Sequence, residues 1–317
     1  MSCGRILEDL FGFNPRSIIV YGAGGGGDAV SAAVLAKWIK EACGVKTYIG
    51  GVPWERYTID PEPGPVPFNC FINSRSIGDH SISIGPSTKV LRAGREFTPQ
   101  LARVSSVIGC ELYAADLWSG VIGYFKGLSE IAEALGVEAF IAIDVGGDII
   151  AEGCERNLWS PLADSMSLAA FSKFNNSILV VASPGADGEL SQEEVLERIE
   201  VVARNNGLLW IKGISRSEAE LYEELLKQVI TEASRVPLMA YRGLFGEILI
   251  REGSRRVKVS IMQTLSFFMD INVVYSLSRT AKAVEGSRTL TEANEALHKI
   301  GLRTEYDLEK LLKHQDL

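Results

Sequence analysis

Residues 17–40 read SIIVYGAGGGGDAVSAAVLAKWIK, and this stretch decides the fold class. Ser17 to Tyr21 is a β-branched run with the composition of a buried strand. It breaks into Gly22-Ala23-Gly24-Gly25-Gly26-Gly27, after which Asp28 opens an Ala/Val-rich helix. Ala29, Ala32, Ala33 and Ala36 lie on one side of that helix and permit close approach to a sheet. A strand–glycine–helix junction leaves backbone N–H groups unpaired at a positive helix end, which suits phosphate or another anion. Four successive glycines are costly in chain entropy, and a ligand approaching the backbone accounts for them. Gly24, Gly25, Gly26, Gly27 and Asp28 are therefore the expected cofactor-binding residues.

Outward from this unit the pattern repeats. Strand-like runs follow at Val45 to Ile49, Ala139 to Ile143, Ser177 to Val181 and Gly207 to Ile211. Helical patterns separate the later ones. Ser160-Pro161 starts one helix, with a capping serine and proline at the first helical position. Ser191-Gln-Glu-Glu194 is a capping box that starts another. The strands are continuous apolar runs rather than alternating ones, which indicates a parallel sheet covered on both faces. The expected fold is α/β: a Rossmann-like parallel sheet with strands beginning at Ser17, Lys46, Ala139, Ser177 and Leu208, and helices on both faces.

Two segments depart from this alternation. Residues 52–110 form a Pro-rich insertion (Pro53, Pro61, Pro63, Pro65, Pro67, Pro86) with little helical period, anchored by Trp54, Tyr57, Phe68 and Phe71. Short strands are expected in it near Ser81 and Lys89. Beyond residue 245, Glu247 to Ile250 and Val257 to Ile261 resemble an antiparallel hairpin. Leu265 to Tyr275 fits strand or helix, and 291–300 and 305–313 are short amphipathic helices. This divides the chain into an α/β domain over 1–245, carrying the insertion, and a hairpin with helices over 246–317 packed on it.

Composition sets the partner class. The 317-residue chain is 46% hydrophobic and 23% charged, with a net charge of −8. No basic stripe is present to displace counterions, which argues against nucleic acid. Five widely spaced cysteines without a CxxC or Cys/His grouping support neither a zinc site nor a disulfide framework, and read as reduced. No signal peptide and no membrane span are evident. The expectation is a cytoplasmic homo-oligomer whose partner is a small molecule with a phosphate or other anionic group.

In an open parallel sheet, ligands bind beyond the carboxyl ends of the strands. Three of the proposed strands end in loops that combine glycine with acid: Asp28 after GGGG, Asp144 and Asp148 around VGG, and Asp187 and Glu189 in PGADGE. Parallel strands gather these five carboxylates on one rim. Asp144 and Asp148 are the candidate catalytic and metal-binding pair, with Mg²⁺ the candidate ion, and Asp187 and Glu189 are candidate substrate contacts. An acid ending a buried strand needs a partner or a ligand, which singles out Asp144. The bland readings are a helix cap for Asp28 and an ordinary turn for Asp187-Gly188.

Other chemistries find less support. Gly22, Gly24 and Gly27 satisfy G-x-G-x-x-G, but the second strand ends in Gly50-Gly51 where a dinucleotide site wants an acid, and Glu55 lies too late. No Gly-Lys-Ser/Thr follows the glycines, so the P-loop pattern fails, and no G-x-S-x-G elbow is present. Among the isolated histidines only His80 reads as a plausible general base. Arg56, Arg75, Arg92 and Arg95 in the insertion could clamp an anion.

The set YGAGGGGD (21–28), WERYTIDPEPGP (54–65), AIDVGGDI (142–149), SPLADSMSLA (160–169) and SPGADGEL (183–190) resembles an archaeal family, with members in some actinobacteria, catalogued as a domain of unknown function. The resemblance covers nearly the whole chain. It implies a Rossmann-type α/β fold, makes Trp54 to Pro65 part of the domain, and adds Asp164 to the rim as a substrate contact. It implies no reaction. The leading expectation is an enzyme binding a phosphorylated or nucleotide-like small molecule, with Mg²⁺. The alternatives are an NAD(P)-dependent oxidoreductase, and a non-catalytic ligand-binding or assembly protein whose acids are all consumed by caps and turns.

Overall fold

The structure, a computed structural model, describes residues 3–315. Its strands are β1 (Ser17–Gly22), β2 (Lys46–Gly51), β3 (Phe71–Ser76), β4 (Ser81–Arg92), β5 (Arg95–Phe97), β6 (Leu112–Ala115), β7 (Ala139–Val145), β8 (Ser177–Ala182), β9 (Leu208–Gly213), β10 (Gly246–Ile250), β11 (Arg255–Val259) and β12 (Leu265–Asp270). The helices are α1 (Cys3–Phe11), α2 (Asp28–Cys43), α3 (Gln100–Ile108), α4 (Gly120–Leu135), α5 (Pro161–Phe171), α6 (Gln192–Arg204), α7 (Arg216–Leu225), α8 (Val236–Tyr241), α9 (Ile271–Leu277), α10 (Arg279–Val284), α11 (Leu290–Lys299) and α12 (Glu305–Gln315). No helix among the described residues is long and apolar enough to cross a membrane.

The main sheet runs β3-β4-β6-β2-β1-β7-β8-β12-β9, with β5 on β4. From β6 through β8 every neighbour is parallel. The pairing of β7 with β8 places Asp144 beside Val181, so the loops after β1, β7 and β8 leave from one edge. β12 is antiparallel to both β8 and β9, which lets β9 run in the same direction as β8 without touching it. The segment that fits strand or helix is both in turn, β12 followed directly by α9. Side chains alternate across the sheet, so Ile19 and Tyr21 enter one core with α4, α5 and α9 to α11, while Ile18 and Val20 enter the other with α2, α3 and α7.

The Pro-rich insertion extends this sheet. β4 is one long strand, antiparallel to β6, where two short strands were expected. The insertion also holds a helix, α3, whose start at Gln100 follows Pro99 in extended conformation. Arg92 fastens the proline segment by bonding Asp60 at 2.5 Å and the carbonyls of Pro63 and Gly64 at 2.9 and 3.0 Å. β10 and β11 form a separate antiparallel pair, as the hairpin reading requires. Cys43 is disulfide-bonded, so the expectation of five reduced cysteines fails there, and Cys70, Cys110 and Cys154 are free.

Packing explains the glycines that end β2. A Cβ on Gly50 would lie 2.3 Å from the Tyr21 ring and 2.7 Å from the Tyr113 carbonyl. Tyr21 cannot withdraw, because it is fully buried against Tyr124 and Phe171, and its Oη accepts a hydrogen bond from the Ala115 N–H at 3.1 Å. Gly50→Ala should therefore destabilise the protein by about 1–3 kcal/mol, the usual cost of overpacking. Denaturant unfolding measures it, and an unchanged midpoint would refute the packing account.

Candidate functional site

The glycine loop begins where β1 meets β7. Ala23 N–H donates to the Ile143 carbonyl at 2.8 Å, which lays the loop against the end of β7. Asp28, the first residue of α2, bonds back to the Gly24 N–H at 2.8 Å instead of capping its helix. Gly26 N–H is also taken, by the Trp54 carbonyl at 3.0 Å. Two of the loop's four N–H groups are thus already spent, one of them on a carboxylate. A Cβ on Gly24 would sit 2.7 Å from Asp28 Oδ2 and 3.0 Å from Asp164 Oδ1, so two acids press on this glycine. Gly25, by contrast, is uncrowded, since a Cβ there would meet only the Trp54 carbonyl, at 4.0 Å.

After β7, Asp144 accepts the Gly147 N–H at 2.8 Å. Gly146 and Gly147 have φ of +127° and +104°, a region glycine enters freely. Their turn brings Asp148 back over the end of the strand. Gly146 also admits Asp187, whose Cγ would be 2.3 Å from a Cβ there. Asp164 comes from the first turn of α5. Asp144, Asp148 and Asp164 each offer an oxygen within 4.8 Å of the others, and Asp148, Asp187 and Glu189 form a second such group.

All six acids, together with Gly24–Gly27, line one open cleft. The structure therefore brings together every residue that the sequence placed on the rim. It does not bring in His80, which lies between β4 and α4, with its backbone N–H on Glu130 at 3.0 Å. Of the four arginines, only Arg56 reaches the cleft. Arg75 pairs with Glu111 at 3.1 Å, Arg92 holds the proline segment, and Arg95 is exposed.

Burial governs the electrostatics. It raises Asp144 to about 7, with the Asp187 charge adding to the effect. It raises Asp187 to about 6, with Glu189 adding. Asp28, Asp148 and Asp164 are pushed well up by burial and by the surrounding acids. Glu189 is the exception. Burial raises it, but the Arg255 charge, the Ser160 hydroxyl and the Trp159 N–H more than offset this and leave it below its ordinary value. Its oxygens are fully engaged: Arg255 at 2.7 Å, the Ser160 hydroxyl, and the Trp159 and Ser160 N–H groups at 2.7 and 2.9 Å.

Other oxygens are not engaged. Asp164 Oδ1 and Asp187 Oδ2 are buried without a hydrogen-bond partner, as is Glu55 Oε2 at the cleft wall. Asp164 is 4% exposed and Asp187 5%. An acceptor so placed needs a cation, a donor or a proton. Hard divalent ions take carboxylate oxygens, so the Asp144, Asp148 and Asp164 group fits Mg²⁺ or Mn²⁺.

Several wall residues carry no sequence signal. From α12, Glu305 accepts the Leu162 and Ala163 N–H groups at 3.0 and 2.8 Å and so occupies the start of α5. Burial lifts it to about 8. Glu309 binds Trp54 Nε1 and the Gly64 N–H, at 3.0 and 2.8 Å. Arg251 and Arg255 arrive on the β10–β11 hairpin. Glu55 and Arg56, also at the wall, do stand in the motif WERYTIDP, the first as an acid too late for a dinucleotide site and the second as a candidate anion clamp.

Fold and site together define an α/β protein with a buried polyacidic cleft beyond the carboxyl ends of its central parallel strands. The chain belongs to the family described as protein of unknown function (DUF1152), whose model matches residues 19–313. No curated protein and no solved structure matches it.

A pH dependence follows from the raised carboxyls. In the cation-free folded protein, Asp187 and Asp144 keep protons up to about 6 and 7, whereas the unfolded chain loses them near about 3.9. The folded state binds more protons across that window, so stability falls as pH rises through it. In EDTA, thermal unfolding should occur at lower temperature at pH 8 than at pH 5. Mn²⁺ competes with those protons, so its stabilisation should be larger at pH 8. Equal stabilisation at both pH values would contradict this assignment.

Proposed function

We propose that the protein is an enzyme that binds a phosphorylated or nucleotide-like small molecule together with a divalent cation, Mg²⁺ foremost, in this cleft. The observation that carries the reading is the pair of buried, unpartnered oxygens, Asp164 Oδ1 and Asp187 Oδ2, at one acidic focus. Asp144, Asp148 and Asp164 would hold the cation, which would neutralise charge on a phosphoryl oxygen. Asp187, raised to about 6, is poised to accept a proton near neutral pH. Gly25, beside the N-terminus of α2, is uncrowded, with only the Trp54 carbonyl at 4.0 Å from a Cβ position, which leaves a ligand room to approach the loop.

The alternatives draw less support. A purely structural role for the acids predicts that caps and turns consume them, and these oxygens are not consumed. An NAD(P) site predicts a free N–H at the loop's second glycine, and Asp28 takes it.

Asp164→Asn tests the cation directly. Its Oδ1 bonds nothing in the protein, so the variant should stay folded and melt at the same or a higher temperature once a neutral amide replaces the buried acid. Its affinity for Mn²⁺ should nevertheless fall by tenfold or more, about 1.4 kcal/mol. Calorimetric titration of both proteins with Mn²⁺ decides it, and wild-type affinity in the variant would refute the cation site.

A further inference from the structure

Facing the carboxylates, the cleft has a second wall of opposite sign. Arg56, from the insertion, and Arg251, from the β10–β11 hairpin, line it, while Arg255 of the same hairpin stands beside the cleft as the partner of Glu189; this hairpin is the only two-stranded sheet among the described residues. Two of the three guanidinium groups are already answered. Arg56 pairs with Glu232 at 3.0 Å, and Arg255 pairs with Glu189 at 2.7 Å. Arg251 differs. Among the described residues its half-buried side chain has no hydrogen bond and no ion pair, yet it lines the cleft. Its backbone is well held, with its N–H on both oxygens of Glu232 at 3.1 Å and its carbonyl accepting the Ser254 hydroxyl at 2.7 Å. Glu232 thus fixes Arg56 and the Arg251 backbone together at the mouth. Burial and the charges of Arg255 and Arg56 disfavour a third positive group there, and push Arg251 below its ordinary value.

We propose that the phosphoryl group of the ligand is gripped by Arg251, flanked by Arg255 and Arg56, rather than by the glycine loop. The inference rests on the cation-dependent reading above and says where its anion sits. The charge balance supports it. Carboxylates take up the charge of any cation they hold, Glu232 and Glu189 pair with Arg56 and Arg255, and among the described residues no carboxylate pairs directly with Arg251, on which Glu189 and Asp187 act only through their charge. The loop is the weaker receiver, since its Gly24 and Gly26 N–H groups are already bonded and a carboxylate sits at its centre. A phosphoryl group suits the span better than a carboxylate. It has three terminal oxygens, enough for a two-point contact with the guanidinium fork and one contact with a cation. A carboxylate would exhaust both oxygens on one wall.

The test uses the full chain and inorganic phosphate as the probe. Phosphate and, separately, acetate are titrated calorimetrically into the Mn²⁺-loaded wild type, Arg251→Gln and Arg251→Lys. Arg251→Gln is expected to bind phosphate at least about tenfold more weakly than wild type. Its Mn²⁺ affinity and melting temperature should stay unchanged, since the side chain bonds nothing in the fold. Arg251→Lys, which keeps the charge and loses the fork, should fall between. Acetate should bind wild type far more weakly than phosphate. Wild-type phosphate affinity in Arg251→Gln, or acetate binding as tightly as phosphate, overturns the inference while leaving the cation site standing. Failure of wild type to take up Mn²⁺ overturns the proposed function itself, and this inference with it.

Discussion

Mutual repulsion among buried carboxyl groups is the constraint on which the rest of this site depends. Asp28, Asp144, Asp148, Asp164, Asp187 and Glu189 come from the start of α2, the end of β7, the segments after β7 and β8, and the first turn of α5, and meet at one edge of the sheet. Unfolded, they would be solvated and far apart. Folded, they share a cleft in which each charge raises its neighbours, and one of them, Glu189, has a guanidinium of its own. Such a cluster persists in a folded chain only if protons or cations neutralise it, and the surrounding structure must hold the acids together against their repulsion.

The holding is done by backbone. Gly24 N–H on Asp28 and Gly147 N–H on Asp144 are local bonds that fix each acid to its own turn. The turns in turn demand glycine, at Gly24 because two carboxylates crowd it and at Gly146 because Asp187 does. The glycine-rich loop is thus a place where acids and backbone approach one another closely, with two of its four N–H groups bonded within the protein.

Remote parts of the chain close the cleft. α12 contributes Glu305 to the start of α5 and Glu309 to Trp54, so the last helix ties the insertion to the sheet. The β10–β11 hairpin contributes Arg251, which lines the cleft, and Arg255, which pairs with Glu189. The cleft thus has one wall of carboxylates and another that carries Arg56 and Arg251. Neither wall is complete in any one segment of the chain.

The sequence by itself determined the parallel core and the acid rim. Apolar runs that end in glycine and acid leave few alternatives for Ser17–Gly22, Ala139–Val145 and Ser177–Ala182, because such strands must be buried on both faces and must point their loops one way. Asp28, Asp144, Asp148, Asp187 and Glu189 follow directly, each being one or a few residues past a strand. What only the tertiary structure decided is everything set by long-range packing. β6 is four residues long and pairs at the seam of the insertion, and β12 enters between β8 and β9 against the chain order. Neither placement leaves a local pattern, since a strand's neighbours are chosen by the faces it buries. The same holds for Glu305, Glu309, Arg251 and Arg255. In the sequence they are ordinary surface charges on a helix and a hairpin, and they belong to the site only because those elements dock over the carboxyl edge of the sheet.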